Sequence, residues 1–75
     1  MDKKLRKLAA AVLGCPEKKI SIKTSPSNQP LWDSLAHISI INAVEDSFGI
    51  EFSTTEILSI KNIQDIQLLI NKKKK

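Results

Sequence analysis

The sequence contains few of the residues that build disulfide-rich, metal-binding or phosphate-binding proteins. Cys15 is its only cysteine, which excludes an internal disulfide, and one cysteine with one histidine are too few for zinc. Two glycines cannot form a glycine-rich phosphate loop. No apolar run approaches the roughly 20 residues that span a bilayer, and no signal peptide is apparent. We therefore expect a cytoplasmic protein with no metal site and no membrane segment.

The length fits a single small domain. A chain of 75 residues buries only about 60% of its unfolded surface, which leaves no room for a second core. We expect one monomeric domain over residues 1–71, followed by a flexible lysine tail over residues 72–75.

The net charge of +4 conceals a segregation of charge along the chain. Residues 1–30 hold seven Lys or Arg and two acids, whereas residues 31–60 hold five acids and no Lys or Arg. Residues 61–75 are basic again, with five lysines and one acid. The middle of the chain therefore presents a negative surface. The basic ends leave open nucleic-acid affinity, membrane affinity, a solvated tail or compositional drift towards lysine.

The first segment carries the start and stop signals of a helix. Asp2 is a favourable N-cap residue, Gly14 a favourable C-terminal stop, and Pro16 prevents the helix from continuing. These signals predict a helix over residues 3–13. Its apolar residues recur at helical spacing: Leu5, Leu8, Ala9, Val12 and Leu13.

The second helix is predicted over residues 34–48, between Asp33 as N-cap and Gly49 as stop. Helical spacing gives it two faces. The core face consists of His37, Ile40, Ile41, Val44 and Phe48. The other face is mixed apolar and acidic, which suits a partner-binding surface, and consists of Leu35, Ile38, Asn42, Glu45 and Asp46.

Two further start signals follow. Ser53 and Glu56 form a capping box at the start of a short helix. Asn62 is the N-cap of a last helix, with Asp65 in its first turn. The last helix has four candidate core residues: Ile63, Ile66, Leu69 and Ile70.

Residues 14–33 are predicted to form a long loop, because prolines and turn residues interrupt every periodic pattern. Ile20 and Ile22 are interpreted as anchors that pin this loop to the core. So long a loop is uncommon in a small domain and indicates a functional role. The predicted fold is thus all-α, an irregular bundle of three main helices and one short helix with a long first connection.

Ser34 is the residue with the clearest chemical potential. A Ser34–His37 nucleophilic pair is disfavoured, because Ser34 lies at the helix start while His37 points along the core face. A hydroxyl in the first turn does lie over backbone N–H groups that a helix leaves without acceptors, where a phosphate is stabilised. Taken alone, however, Ser34 is also explained as a second capping residue after Asp33.

The chain resembles the acyl carrier protein family over essentially its whole length, most strongly from Leu31 to Ile66. The matching segments, in order and at the right spacing, are Leu31-Trp32-Asp33-Ser34-Leu35, the stretch from Glu45 to Phe52, Glu56-Ile57 and Asn62-Ile63. The resemblance implies a covalent 4′-phosphopantetheine arm on Ser34, with Trp32, Asp33 and Leu35 around it. It also implies a non-catalytic carrier whose second helix is recognised by partners, at Leu35, Ile38, Asn42, Glu45 and Asp46.

The implied partners are a phosphopantetheinyl transferase, an acyl- or aminoacyl-loading ligase and downstream transferases, rather than nucleic acid or a membrane. Ala36 and Ser39 stand where fatty-acid carriers often have acids, and the pI of about 9.4 is unusually high. Trp32 is more typical of stand-alone carriers of specialised pathways, and either packs the loop or lines the attachment site.

Several functions therefore stay open. The first is an acyl carrier for fatty-acid, polyketide or specialised biosynthesis, and the second an aminoacyl or peptidyl carrier. A carrier-like domain that is never modified and a basic nucleic-acid-binding module are the others. The acidic second helix disfavours the nucleic-acid module, because a recognition helix needs basic or amide side chains.

Overall fold

A computed structural model describes residues 1–73 and has four α-helices in that range. They are α1 (Lys3–Leu13), α2 (Ser34–Phe48), α3 (Thr54–Ser59) and α4 (Ile63–Lys73). The described residues contain no strand. The predicted all-α bundle, with a short third helix and a long first connection, is confirmed, and the predicted bounds of α1 and α2 agree with the structure.

The predicted caps of α1 and α2 are present. The Asp2 side chain accepts hydrogen bonds from the amides of Lys4 and Leu5, and Asp33 Oδ1 accepts one from Ala36 N at 2.8 Å. Both helices end at glycines with positive φ, 71° at Gly14 and 65° at Gly49. Glycine adopts that conformation without steric cost, which explains why the helices end there.

The capping box of α3 is formed in both directions. Ser53 Oγ accepts from Glu56 N at 3.1 Å, and Glu56 Oε1 accepts from Ser53 N at 2.8 Å. Lys73, at the end of α4, forms an ion pair with Glu56 at 2.9 Å. The hydrogen bond from Ser53 N, with a further contribution from Lys73, lowers the pKa of Glu56 below its ordinary value.

The core lies where α1, α2 and α4 meet. Nine of its residues come from the predicted apolar faces and are almost fully buried. Ala10, which the apolar pattern of α1 did not include, is 5% exposed, whereas His37 and Phe48 are only half-buried. Lys4 joins α1 to the end of α2, since its Nζ donates to Ser47 O and lies 4.9 Å from the Phe48 ring centroid.

The long loop is held by both side chains and backbone. Ile20 is 2% exposed, so its predicted role as an anchor is confirmed. The same prediction is wrong for the Ile22 side chain, which is 39% exposed. Ile22 contributes its backbone instead, because its carbonyl accepts from Gln64 N at 3.0 Å. The loop also contains a short 3₁₀ turn at Glu17–Lys19, which the sequence reading did not predict.

The predicted start of the lysine tail requires a correction. Lys72 and Lys73 belong to α4, and Lys73 pairs with Glu56. Lysine is a good helix former, and positive charge is favourable at a helix C-terminus, so the helix continues past residue 71. Residues 74 and 75 of the predicted tail lie outside the described residues.

Candidate functional site

Ser34 is the first residue of α2 and is exposed. Asp33 immediately before it is the N-cap, so the carboxylate that fixes the helix start also fixes the position of the serine. The amides of Ser34 and Leu35 lie in the first turn, where a helix offers no internal acceptor. No Lys or Arg occurs in residues 31–60, so within this segment the helix N-terminus is the source of positive potential for an anion attached here.

A groove of ≈ 610 Å³ opens beside Ser34. The end of the long loop, the start of α2 and α3 with the residue after it form its walls. Its walls are mostly apolar, and two of the residues on its rim are strongly exposed: Ile38 at 49% and Leu58 at 79%. The lining residues also include Trp32, Asp33, His37, Ile57 and Ile60.

Trp32 and His37 form a hydrogen-bonded pair inside this groove. Trp32 Nε1 donates to His37 Nδ1 at 3.0 Å, and the two rings stack with centroids 5.9 Å apart. Because an indole nitrogen only donates, Nδ1 must be the unprotonated nitrogen of a neutral imidazole. The proton therefore resides on His37 Nε2, which lies 3.1 Å from Ile57 O and donates to it. We call this chain of two hydrogen bonds, from Trp32 through His37 to Ile57, the histidine bridge.

The histidine bridge connects three elements: the long loop, α2 and α3. Trp32 is 2% exposed, while His37 and Ile57 are half-buried. Breaking a bond of the bridge would leave polar groups without partners, at a cost of about 1–3 kcal/mol for each buried group. For comparison, burial of one methylene group contributes about 0.8 kcal/mol.

The predicted partner-binding residues divide into two sets in the structure. Leu35 is 77% exposed, and Ile38, Asn42 and Asp46 are also exposed. Glu45 is half-buried, and its Oε2 accepts from Phe52 N at 2.9 Å. Glu45 therefore has a structural partner in the chain that follows α2, and the freely presented acid of this face is Asp46.

Sequence reasoning missed part of the site. It grouped Trp32, Asp33, Ser34 and Leu35 as neighbours in sequence, of which all but Leu35 line the groove, but it did not bring α3 to them. The exposure of Leu58 could have been predicted, because Leu58 follows the inward-facing Ile57 in a helix too short to bury both side chains. The contacts of His37 with Trp32 and Ile57 could not have been predicted from the sequence pattern, because they depend on how separate elements pack.

Two further properties of the described part of the chain bear on the kind of site. Among residues 1–73 no helix is long and apolar enough to cross a membrane. The same residues contain no group of three or more His, Cys, Asp or Glu side chains that could hold a metal ion.

Comparison with known proteins gives a consistent result. The family model described as "Phosphopantetheine attachment site" matches residues 3–67. The acyl carrier protein of Buchnera aphidicola subsp. Baizongia pistaciae is 32% identical over 72 residues, which cover 96% of this chain and 92% of that protein. The chain belongs to the acyl carrier protein family. Members of this family carry a covalent phosphopantetheine prosthetic group, and the resemblance on which the sequence analysis relied is confirmed.

The same conclusion follows from the fold. The solution structure of the holo acyl carrier protein of Geobacter metallireducens superposes with a TM-score of 0.84 at 28% identity, covering 93% of this chain and 80% of that one. The residues present fit a phosphopantetheine group, because an exposed hydroxyl lies at a helix N-terminus beside an apolar groove. The site is therefore suited to the phosphopantetheine attachment that the matched family model describes.

Proposed function

We propose that Ser34 is the attachment residue and that the protein is a non-catalytic acyl carrier. The observation that carries the proposal is the position of Ser34: it is exposed, it begins α2 and it lies on the groove within the matched region. A phosphopantetheinyl transferase would join coenzyme A's phosphopantetheine to Ser34 Oγ as a phosphodiester. The pyrophosphate bond of coenzyme A breaks, 3′-phosphoadenosine 5′-phosphate leaves, and the proton of the Ser34 hydroxyl passes to a base of the transferase. When bound, the group supplies a terminal thiol that holds cargo as a thioester.

The chain's own residues position the attachment site and do not themselves react. Asp33 holds the start of α2 through Ala36 N, which fixes the backbone position of Ser34. The first-turn amides stabilise the phosphodiester's negative charge. His37 does not offer Ser34 a free base, because both of its ring nitrogens are engaged by Trp32 and Ile57. The acceptor hydroxyl therefore depends on the transferase for activation, as befits a carrier.

The exposed face of α2 is the proposed docking surface for partner enzymes, and it consists of Leu35, Ile38, Asn42 and Asp46, with Glu45 at its edge. It combines apolar area with negative charge, which suits partners that present a basic rim around an apolar contact. Holding the cargo on a tether raises its effective concentration at each docked enzyme. The proposed partners are the transferase, an acyl-loading ligase and downstream acyltransferases.

Acyl cargo is preferred over aminoacyl cargo, because the groove beside Ser34 is largely apolar and offers no acidic side chain other than Asp33 for an amino group. Asp33 is already engaged by Ala36 N. An aminoacyl or peptidyl carrier is the second candidate. The cytoplasmic location and the monomeric state stay predictions from the sequence.

Intact mass measurement tests the attachment. The wild-type protein is incubated with coenzyme A, Mg²⁺ and a broad-specificity phosphopantetheinyl transferase, beside Ser34→Ala and the matched control Ser39→Ala. We expect a gain of one phosphopantetheine in the wild type and in Ser39→Ala, and none in Ser34→Ala. No gain in a wild-type protein shown by circular dichroism to be folded would instead support an unmodified carrier-like domain.

Charge reversal tests the docking surface. Asp46→Lys should slow modification, because a rim charge mainly affects the association rate, and the difference should shrink with added salt. Glu51→Lys, an equal charge change at an exposed residue beyond α2, is the control. Equal rates for Asp46→Lys and wild type at low salt would contradict docking through this face.

A further inference from the structure

We propose that the side of the domain formed by α1, the long loop and α4 binds the surface of an anionic lipid bilayer. The exposed lysines of this side, which we call the basic face, are Lys3, Lys7, Lys18, Lys19, Lys23 and Lys72. The proposal gives a role to the basic ends of the chain, which attachment at Ser34 leaves unexplained. It departs from the expectation, implied by the family resemblance, that no membrane takes part.

Three contacts bring the elements of the basic face together. The 3₁₀ turn at Glu17–Lys19 packs against α1. Asp2 N, at the start of α1, donates to Gln67 Oε1 of α4 at 2.7 Å. At the other end of α4, Gln64 N donates to Ile22 O of the loop at 3.0 Å. The lysines from the two ends of the sequence are therefore carried by adjacent elements.

The positive charges of the basic face are not neutralised within the domain. Among residues 1–73 its six ammonium groups form no ion pair, and the ion pair in that range joins Lys73 to Glu56. The acids carried by the same elements are Asp2, Glu17 and Asp65. Asp2 and Asp65 are half-buried and accept backbone hydrogen bonds, whereas Glu17 is exposed. The face is therefore strongly positive and free to attract an anionic partner.

Three apolar side chains are exposed on the same elements: Met1 at 40%, Ile22 at 39% and Leu68 at 57%. Ile22 immediately precedes Lys23, and Leu68 lies one helical turn before Lys72 on α4. Clustered lysines attract anionic headgroups, and apolar side chains among them enter the boundary between headgroups and acyl chains. A bilayer suits this mixture better than a protein partner, because the cores of protein interfaces are depleted in lysine.

A nucleic acid fits the basic face less well. Proteins that bind single strands stack bases on exposed aromatic side chains. Here Trp32 and Phe52 are buried, Phe48 is half-buried, and the chain has no tyrosine. Arginine, whose planar fork suits phosphate recognition, occurs once, at the half-buried Arg6. The face therefore offers diffuse positive charge beside apolar side chains, which is the combination that a lipid surface attracts.

The acidic part of the molecule determines the orientation on such a surface. Residues 31–60, which contain α2 and α3, hold five acids and no Lys or Arg, so an anionic bilayer repels them. Both α1 and α2 bury apolar stripes in the same core, so their exposed stripes point away from each other. A carrier bound through the basic face therefore presents Ser34 and Asp46 to the solution, where partner enzymes reach them.

Co-sedimentation of the full chain with vesicles tests the proposal. One set of vesicles contains equal parts of phosphatidylglycerol and phosphatidylcholine, and the other contains phosphatidylcholine alone. We expect binding to the anionic vesicles alone, and loss of binding when NaCl rises from about 0.1 M to about 1 M, because the screening length falls from about 10 Å to about 3 Å. Absence of binding to anionic vesicles at the lower salt concentration would overturn the proposal.

A matched pair of lysine variants tests which surface binds. Lys19→Gln removes one charge of the basic face and should weaken partition to anionic vesicles by about fivefold. Lys61→Gln is the control, because Lys61 is also exposed but follows Ile60, which lines the groove beside Ser34. We expect a smaller loss for Lys61→Gln. Equal losses for the two variants would show that net charge, rather than the basic face, determines binding.

Two further measurements distinguish a lipid surface from other polyanions. Leu68→Ala should weaken vesicle binding although it leaves the charge of the face unchanged, because less apolar area is buried at the bilayer. A single-stranded RNA of mixed sequence should bind more weakly than anionic vesicles at the same salt concentration. Unchanged vesicle binding by Leu68→Ala, or RNA binding as tight as vesicle binding, would contradict a lipid-binding surface.

Failure of this proposal is distinguishable from failure of attachment at Ser34. Vesicle binding is measured on the unmodified chain, so it does not depend on phosphopantetheine. Loading by the transferase is then compared with anionic vesicles, with phosphatidylcholine vesicles and without vesicles. We expect the same gain in intact mass in all three. Loading that fails with anionic vesicles alone would contradict the proposed orientation, whereas loading that fails in all three would contradict attachment at Ser34.

Discussion

The helix α2 and the loop that precedes it meet at Ser34, yet different kinds of interaction hold them. Local signals bound α2, with Asp33 at its start and Gly49 at its end. The loop over residues 14–33 depends on distant partners, because Ile22 O and Thr24 O accept from the amides of Gln64 and Ile63 on α4. One side of the candidate site is therefore specified within its own segment, and the other only when the domain has folded.

The hydrogen bonds that hold the loop also explain how α4 begins. The first amides of a helix have no internal acceptors, and here two of them donate to loop carbonyls. Thr24 is buried, and its hydroxyl accepts from Ser21 N, so the loop's polar groups are satisfied inside the fold. We therefore expect the loop to be more sensitive to core substitutions than to changes in its turn residues.

The largest expected effect comes from Ile20, which joins the loop to the core. Ile20→Ala should lower the free energy of unfolding by about 2–5 kcal/mol, because it leaves a cavity at a residue that is 2% exposed. Ile22→Ala is the matched control, and a change within about 0.5 kcal/mol is expected there because its side chain is 39% exposed. Urea denaturation followed by circular dichroism measures both.

The whole domain is expected to be stable by only about 4–11 kcal/mol at 75 residues, so Ile20→Ala could approach complete unfolding. Ile20→Val keeps the comparison measurable, with an expected loss of about 0.5–1.5 kcal/mol. Equal losses for Ile20→Ala and Ile22→Ala would show that the side chains do not distinguish the two positions. The loop would then be held by its backbone alone.

An intermediate effect is expected from the cap of α2. Asp33→Ala removes the acceptor for Ala36 N and should cost about 1 kcal/mol of stability. Asp33→Asn retains an equally good capping oxygen, so its stability should stay near that of the wild type. A loss in Asp33→Asn equal to that in Asp33→Ala would mean that the charge of Asp33, rather than its capping bond, stabilises the helix.

The same contrast determines how much could be predicted from the sequence. The bounds of α1 and α2 and the capping box of α3 were predictable, because each depends on residues a few positions apart. The core role of Ile20 followed from its apolar character, but the exposure of Ile22 did not. Two isoleucines separated by one residue give the same signal until the packing of α4 selects between them.

The candidate site was predictable to a similar extent. Ser34 and its neighbours form a continuous motif, and the family comparison supports the function that this motif implied. The histidine bridge was not predictable, since it joins residues of three elements. The hydrogen bond that Glu45 accepts from Phe52 N was also not predicted, because helical spacing alone assigned Glu45 to the partner-binding face.

The region that combines both kinds of interaction is the start of α3, where the smallest effect is expected. Glu56 accepts from Ser53 N in its own segment and pairs with Lys73 of α4. These contacts lower the pKa of Glu56, the bond from Ser53 N being the larger cause, so the folded state favours the ionised carboxyl. Their stabilising contribution is therefore present above the ordinary pKa of Glu and is lost as the pH falls through the lowered value.

Glu56→Gln isolates this contribution, because glutamine can still accept from Ser53 N but cannot be ionised. We expect the variant to be less stable than the wild type at neutral pH, and the difference to vanish once the pH falls below the lowered pKa. Glu51→Gln, an equal charge change at an exposed residue, is the control for general charge effects. Equal stabilities of the wild type and Glu56→Gln at neutral pH would show that the carboxyl's charge contributes nothing, since glutamine retains the bond from Ser53 N. The local hydrogen bond would then account for the whole effect, and the start of α3 would resemble α2 rather than the loop.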